Sequence, residues 1–115
     1  MSVAVRAIEA WLMADRQSFA SFLGVGVKRI PREPEQVADP KHAVVELARE
    51  SSKRVIREGL VPSEAGGRRI GPAYTDEVIQ YVRQRWSPNR ARAVSPSLAR
   101  AFERCEEFAR RGTWS

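Results

Sequence analysis

The sequence predicts a mainly α-helical fold of about five helices, and two observations support this prediction. Along several segments apolar residues recur every three or four positions, the spacing that places side chains on one face of a helix. Proline, glycine or a capping side chain stands where these segments begin or end. Val3-Ala4-Val5 is the exception: alternating valines favour a pleated surface, so one short N-terminal strand is the alternative there.

Length and composition indicate one folded domain over residues 1–115. Apolar residues make up 43% of the chain and charged residues 30%, which is typical of a globular protein and not of a disordered one. Cys105 is the only cysteine, so an internal disulfide and a structural zinc site are excluded. The longest stretch without a charged residue, 17–27, is too short to cross a bilayer. We expect a cytoplasmic protein that makes no membrane contact.

The first two helices are predicted in the N-terminal part of the chain. The first places four residues on one face: Ile8, Trp11, Leu12 and Asp15. The second is expected from Arg16 to Leu23, with the Asp15 carboxylate accepting hydrogen bonds from its first N–H groups and Gly24 ending it. Residues 25–39 contain two prolines and mixed charges, and they are predicted to form a loop.

The third and fourth predicted helices are separated by a loop rich in glycine and proline. Asp39-Pro40 is a strong helix start, and the apolar stripe that follows continues through Val55 and Ile56 toward Gly59. Residues 60–74 are predicted to form the loop. Thr75 and Asp76 begin the next helix, with a predicted buried side of three residues: Ile79, Val82 and Trp86.

The last helix has the clearest amphipathic pattern in the sequence. Ser87-Pro88 ends the preceding helix and can begin one more turn, and Ser95-Pro96 starts the last helix. Its apolar stripe consists of Leu98, Ala101, Phe102, Cys105, Phe108 and Ala109. Cys105 is therefore predicted to be a small core residue, and Gly112 to end the helix.

The glycine-rich loop has the spacing of a phosphate-binding loop but not its chemistry. Gly66 and Gly71 stand as in G-x-x-x-x-G, yet Pro72-Ala73 follow where a P-loop needs lysine and then serine or threonine. A P-loop is therefore excluded. Arg68 and Arg69 can still bind a phosphate between flexible glycines, and the alternative is a solvated turn.

The formal net charge is +6, and the positive charge is unevenly distributed. No acidic residue occurs between Glu77 and Glu103, a stretch that holds several arginines. These could form a basic face with Lys53, Arg54, Arg57, Arg68 and Arg69; they are Arg83, Arg85, Arg90, Arg92 and Arg100. Such a face can neutralise nucleic-acid phosphates, and the alternative is an ordinary solvated surface. A helix-turn-helix at 89–94 with the last helix is disfavoured, because the outward side of that helix carries glutamates.

Glu9 and Asp15 are the candidate acid–base carboxylates, but their spacing is unfavourable. They lie about 240° apart on an ideal helix, so they do not share a face unless the helix breaks between them. Each has a structural explanation: Asp15 as a helix cap, and Glu9 as a charge near a helix N-terminus.

Four segments, taken in order, resemble an uncharacterised bacterial family, the domain of unknown function 4276. They are Val3-Ala4-Val5-Arg6-Ala7-Ile8-Glu9-Ala10-Trp11-Leu12-Met13-Ala14-Asp15, Asp39-Pro40-Lys41, Gly67-Arg68-Arg69-Ile70-Gly71-Pro72-Ala73-Tyr74 and Ser95-Pro96-Ser97-Leu98. The resemblance implies a TOPRIM-type protein, in which a small α/β sheet with an early glutamate and an Asp-x-Asp pair precedes a helical half. This chain resembles the helical second half; the acidic sheet half is absent.

The resemblance also implies a metal-dependent role for one carboxylate. Ile8-Glu9-Ala10-Trp11-Leu12 is similar to an element that contributes an acidic residue near the metals of related nucleases. It implies Glu9 as a catalytic residue and metal ligand, and Asp15 as a second catalytic candidate. One carboxylate cannot assemble a two-metal site, so this chain alone is expected to bind no cofactor; Mg²⁺ or Mn²⁺ would require the missing half.

These observations lead to three hypotheses of function. The first is a non-catalytic nucleic-acid-contacting or assembly module of a phage-defence or mobile-element system, with four phosphate contacts: Arg68, Arg69, Arg83 and Arg85. The second is a metal-dependent nuclease completed by another chain through Glu9, and the third a helical protein-interaction module. The resemblance implies the defence-type or mobile-element system and, as a partner, an ATPase or a separately encoded first half. Nucleic acid and a second copy are the other expected partners. An exposed edge is expected at Val3, Val5 and Trp11.

Overall fold

The structure, a computed structural model, describes residues 2–110, and for residues 2–7 and Phe108 it describes the backbone only. Over that range it contains seven α-helices and no β-strand, so the mainly α prediction is confirmed. The helices are α1 Ser2–Ala14, α2 Arg16–Leu23, α3 Pro40–Arg49, α4 Arg54–Leu60, α5 Tyr74–Gln84, α6 Pro88–Val94 and α7 Pro96–Arg110. Short 3₁₀ turns occur at Val27–Arg29, Pro34–Gln36 and Glu64–Gly66.

The structure excludes one alternative left open by the sequence and corrects one predicted helix boundary. Val3-Ala4-Val5 lies within α1, so the alternative of a short strand is excluded. The predicted helix from Pro40 to Gly59 is divided into α3 and α4 at residues 50–53. There the Ser51 hydroxyl accepts a hydrogen bond from the Lys53 N–H at 2.8 Å, which gives the backbone a partner outside the helix.

The main core is formed by side chains of the five helices α1 to α5 and by Ile30. It is formed by Leu12, Met13, Phe19, Ala20, Phe22, Leu23, Ile30, Val44, Val45, Ala48, Ile56, Leu60, Tyr74 and Tyr81. At its centre the Phe22 and Tyr81 rings stack at 4.8 Å, and the Phe19 ring meets Tyr81 edge-on at 5.4 Å. These aromatic contacts join α2 to α5.

A smaller cluster, the minor core, joins α6 and α7 to α1. Ala14, Ala91 and Leu98 are buried in it, and Trp11, Trp86 and Phe102 pack partly buried against them. Trp11 is therefore partly covered, and its indole N–H donates to the Ser97 hydroxyl at 2.8 Å. The side chains of Val3 and Val5, the other residues of the predicted exposed edge, lie outside the described side chains.

The buried side of α5 differs from the prediction. Ile79 and Val82 are 44% and 40% exposed, whereas Tyr74 and Tyr81 are buried. The tyrosines bury a larger apolar surface, and their hydroxyls find partners inside the protein, on the Glu9 carboxylate and the Leu12 carbonyl. A prediction that considers only the aliphatic residues therefore assigns the wrong side of α5 to the core.

The prediction for α1 and α7 is also only partly right. Ile8 was expected on the buried face of the first helix but is exposed. In α7 Leu98 is buried and Phe102 half-buried beneath the Arg92 guanidinium, at 4.9 Å, whereas Cys105 and Ala109 are exposed. Cys105 is thus not a core residue, because the minor core covers only the first turns of α7; the Phe108 side chain is not described.

The loop between α4 and α5 is closed at its base by backbone hydrogen bonds. The Gly71 N–H donates to the Leu60 carbonyl at 2.9 Å, and the Ala73 N–H donates to the Gly59 carbonyl at 2.8 Å. Residues 63–69 at its tip are all exposed. The loop therefore carries Arg68 and Arg69 on a tip whose two ends are fixed.

Between residues 2 and 110, none of the helices combines the length and the apolar character needed to span a bilayer.

Candidate nucleic-acid interface

Three cationic side chains from three different elements meet on the surface of α2. Ser18 and Ser21 are one turn apart on this helix, so their side chains point to the same side. The Arg90 Nη2 donates to the Ser18 Oγ at 3.0 Å, and the Arg85 Nη1 donates to the Ser21 Oγ at 3.1 Å. The Lys53 Nζ donates to the Ser21 carbonyl at 2.7 Å. We call Lys53, Arg85 and Arg90 the α2 basic row.

The end of α2 explains the position of Lys53. The last carbonyls of a helix have no partner within the helix and carry the negative end of its dipole. The Lys53 Nζ donates to two of them, those of Ser21 and Phe22, the latter at 3.3 Å. Gly24 ends α2 at a φ of 75°, as the sequence predicts.

Arg90 differs from the other members of the basic row because a buried carboxylate neutralises it. Asp15, which is 2% exposed, accepts from the Arg90 Nε at 2.9 Å and from the Arg90 Nη2 at 3.1 Å. In the described part of the chain no carboxylate forms an ion pair with Lys53 or Arg85. The two therefore contribute positive charge that no ion pair among the described residues neutralises.

The position of Asp15 corrects the predicted cap. Asp15 stands before α2, but its side chain makes no hydrogen bond to the first N–H groups of that helix. Its Oδ2 accepts instead from the backbone N–H of Ser87, at the start of α6, at 2.8 Å. Asp15 therefore does not cap α2 as predicted. It binds Ser87, whose own hydroxyl caps α6 by accepting from the Arg90 N–H at 3.2 Å.

A small cleft opens between α4 and α5 beside the basic row. It holds about 190 Å³ and is lined by Phe22, Lys53, Val55, Ile56, Glu77, Gln80, Tyr81, Gln84 and Arg85. The volume is below that typical of sites for drug-sized ligands. Lys53 and Arg85 line the cleft with donors that match a phosphate, and Glu77 contributes the opposing charge.

The four arginines predicted to contact phosphates fall into two groups. Arg83 and Arg85 lie at the C-terminal end of α5, and Arg68 and Arg69 lie in the loop before its N-terminal end. The helix between them is about 16 Å long, so the structure does not bring the four together in one cluster. Arg83 and Arg68 are exposed, whereas Arg69 forms an ion pair with Asp39 at 2.6 Å.

The serines that anchor the basic row were missed by the sequence analysis. Ser18 and Ser21 stand at positions i and i+3 of a helix whose opposite face is apolar, which was the available signal. Lys53 and Arg90 are part of the predicted basic face, but they are not among the four residues predicted to contact phosphates. Nothing in the sequence indicated that they would meet on α2.

Glu9 is engaged within the protein. It is 7% exposed, and its Oε2 accepts a hydrogen bond from the Tyr74 hydroxyl at 3.2 Å. Burial raises the pKa of Tyr74, and the charge of Glu9 raises it further, so the hydroxyl stays protonated and donates. Among the described residues no three acidic, histidine or cysteine side chains are grouped as metal ligands.

Replacing Tyr74 with phenylalanine is expected to lower the free energy of unfolding by about 2 kcal/mol, because the buried Glu9 carboxylate loses its donor. Urea denaturation at neutral pH measures this change. Tyr81→Phe is the matched control: its hydroxyl makes a longer bond, of 3.4 Å, to a carbonyl, and its removal should cost less than about 1 kcal/mol. Equal losses in the two variants would contradict the role assigned to the Tyr74 hydroxyl.

Comparisons of the chain with protein-family models, with curated proteins and with solved structures found no match. The fold and the surface therefore define the class: a small, basic, α-helical protein. Its distinguishing feature is the set of three cations that bind one helix, the α2 basic row.

Proposed function

We propose that this protein is a non-catalytic module that contacts nucleic acid through the α2 basic row and Arg83. One observation carries the proposal: Lys53 and Arg85 are anchored on α2 by hydrogen bonds, and neither has a carboxylate partner among residues 2–110. Cations that are fixed in this way lose less side-chain entropy when they bind a phosphate. Phosphate contacts of this kind position a nucleic acid without reading its sequence.

The charge around the basic row supports the same function. No acidic residue occurs between Glu77 and Glu103, so the second half of α5 and all of α6 carry arginine without a neighbouring carboxylate in the sequence. The resemblance to the domain of unknown function 4276 family adds the expectation of a defence-type or mobile-element system. There an ATPase or a separately encoded acidic half would be the protein partner.

The geometry favours this function over a nuclease completed by another chain. In such a nuclease Glu9 would bind a metal ion, but its Oε2 already accepts from the Tyr74 hydroxyl and the side chain is buried. The assembly role, by contrast, has a specific observation in its favour. Ile79 and Val82 are one turn apart and exposed on α5, and such a pair can contact a protein partner or a second copy.

The double variant Arg83→Ala/Arg85→Ala is expected to weaken the binding of a fluorescein-labelled DNA duplex about tenfold. Fluorescence anisotropy measures Kd over a salt series from about 50 to 200 mM, in which the wild-type affinity should fall steeply. Loss of two phosphate contacts should also lower the slope of log K against log salt by about 1.8.

Arg49→Ala/Arg54→Ala is the matched control for this experiment. It removes the same charge from two exposed arginines that already have carboxylate partners, Glu46 and Glu58. Its Kd should change less than about twofold at any salt concentration. Equal weakening by the two double variants would show binding to net charge alone, and salt-independent binding would contradict phosphate contact altogether.

A further inference from the structure

Two carboxylates from the first half of the chain bind the N-terminal ends of α6 and α7, beside the local hydrogen bonds that Ser87 and Ser95 make to the first turns. Asp15 accepts from the N–H of Ser87, which precedes α6. The Glu35 Oε2 accepts from the N–H of Ser97 at 3.0 Å and from its hydroxyl at 2.6 Å, in the first turn of α7. It also accepts from the hydroxyl of Ser95. Each of the last two helices therefore depends on a side chain about 60 or more residues earlier.

Both carboxylates are ionised in these contacts. Burial raises the pKa of each, but hydrogen bonds outweigh burial and hold the pKa of both below the ordinary value. The groups that face them are Arg90, Ser87 and Ser18 for Asp15, and Ser95, Ser97 and Arg100 for Glu35. Because the pKa values are lowered on folding, both carboxylates stabilise the contacts at neutral pH, and the effect is lost only as the pH falls through the lowered values.

Although α6 packs closely on α1, far fewer apolar side chains are buried between α6–α7 and the rest of the protein than in the main core. No residue of α6 or α7 belongs to the buried main core, and the minor core buries only three side chains: Ala14, Ala91 and Leu98. One indole hydrogen bond adds to this contact, from Trp11 to the Ser97 hydroxyl, whereas Trp86, which donates to the Trp11 carbonyl, precedes α6. Separation of α6–α7 would break these contacts and leave the main core intact.

We propose that residues 88–110 form an arm that opens from the body of α1–α5 as a unit, and that Asp15 and Glu35 are the latches that keep it closed. Opening releases Arg90 from Asp15 and uncovers the partly buried Trp11. The arm is thus a conformational device separate from the nucleic-acid contact, and its test does not depend on binding. Local opening of this kind is expected where few apolar contacts hold an element.

Hydrogen–deuterium exchange, read by mass spectrometry at neutral pH, tests the arm. In Glu35→Gln, which keeps the shape but removes the charge, amides of α6 and α7 should exchange about tenfold faster than in the wild type. Amides of α2 and α3 should keep their rates, because the main core is unchanged. The matched control is Glu33→Gln, an exposed residue two positions earlier with no side-chain cap bond, and it should leave every rate unchanged.

Three results would overturn the proposal: an equal acceleration in all helices, acceleration confined to residues 103–110, or no acceleration. The first means that the arm and the body unfold together, the second that only the end of α7 frays, and the third that Glu35 is not a latch. If the variant does not fold, wild-type exchange in a urea series decides the question. The arm must open at lower urea than α2 and α3, and α6 must open together with α7.

Discussion

Phe19→Ala is expected to lower the free energy of unfolding by about 4 kcal/mol, the largest effect of any substitution considered for this protein. Phe19 is fully buried in the main core. Its ring lies 5.8 Å from that of Phe22 and 5.4 Å from that of Tyr81. Alanine would remove both aromatic contacts and leave a cavity where α2 packs on α5, and a close-packed interior closes such a cavity only in part.

Urea denaturation followed by far-ultraviolet circular dichroism measures this loss. Val55→Ala is the control, because Val55 is 65% exposed and its truncation should change the free energy of unfolding by less than about 0.5 kcal/mol. A loss below about 1.5 kcal/mol for Phe19→Ala would mean that the three aromatic rings do not form the centre of the core.

Gly71→Ala should lower the free energy of unfolding by about 3 kcal/mol, although it adds a single methyl group. A Cβ at this position would overlap the carbonyl oxygen of Gly59 and lie 2.6 Å from the carbonyl carbon of Leu60. It would also lie 2.8 Å from the nitrogen of Val61. All three are backbone atoms, so no side chain can rotate away. The clash would push apart the two backbone segments that the hydrogen bond from the Gly71 N–H to the Leu60 carbonyl joins.

The control for this substitution is Gly26→Ala. A Cβ at Gly26 would meet no atom within 4 Å, and its φ of −67° is available to any residue. The free energy of unfolding should stay within about 0.5 kcal/mol of the wild type, since alanine restricts the unfolded chain without straining the folded one. A similar loss in both variants, measured by urea denaturation, would attribute the Gly71 effect to loop flexibility and not to the close approach of the backbone.

Features with a local cause were predictable from the sequence. Asp39 caps α3 as predicted, with its Oδ1 accepting from the N–H of His42 at 3.2 Å, and Gly24 ends α2 in the left-handed conformation. Both depend on contacts within a few residues, so the sequence contains the whole signal. The mainly α fold follows from the same kind of information, repeated along the chain.

Features that depend on distant contacts were not predictable. Asp15 was expected to cap the adjacent helix, but Ser87 and Arg90 offer it stronger partners from the other half of the chain. Likewise the basic row forms only because residues at the start of α4, at the end of α5 and in α6 pack against α2. The ion pair between Arg69 and Asp39 also depends on tertiary packing. Charge and spacing identified the residue types of the candidate site, whereas tertiary packing decided which of them meet.

The base of the loop between α4 and α5 has a consequence for variation in chain length. Hydrogen bonds to the carbonyls of Gly59 and Leu60 fix both ends of this loop. Extra residues at its exposed tip, 63–69, would therefore extend into solvent and leave the helices in place. The entropy of closing a loop grows only slowly with its length. The tip is therefore a natural point for insertions to accumulate during evolution, and a suitable position to graft an epitope or reporter peptide.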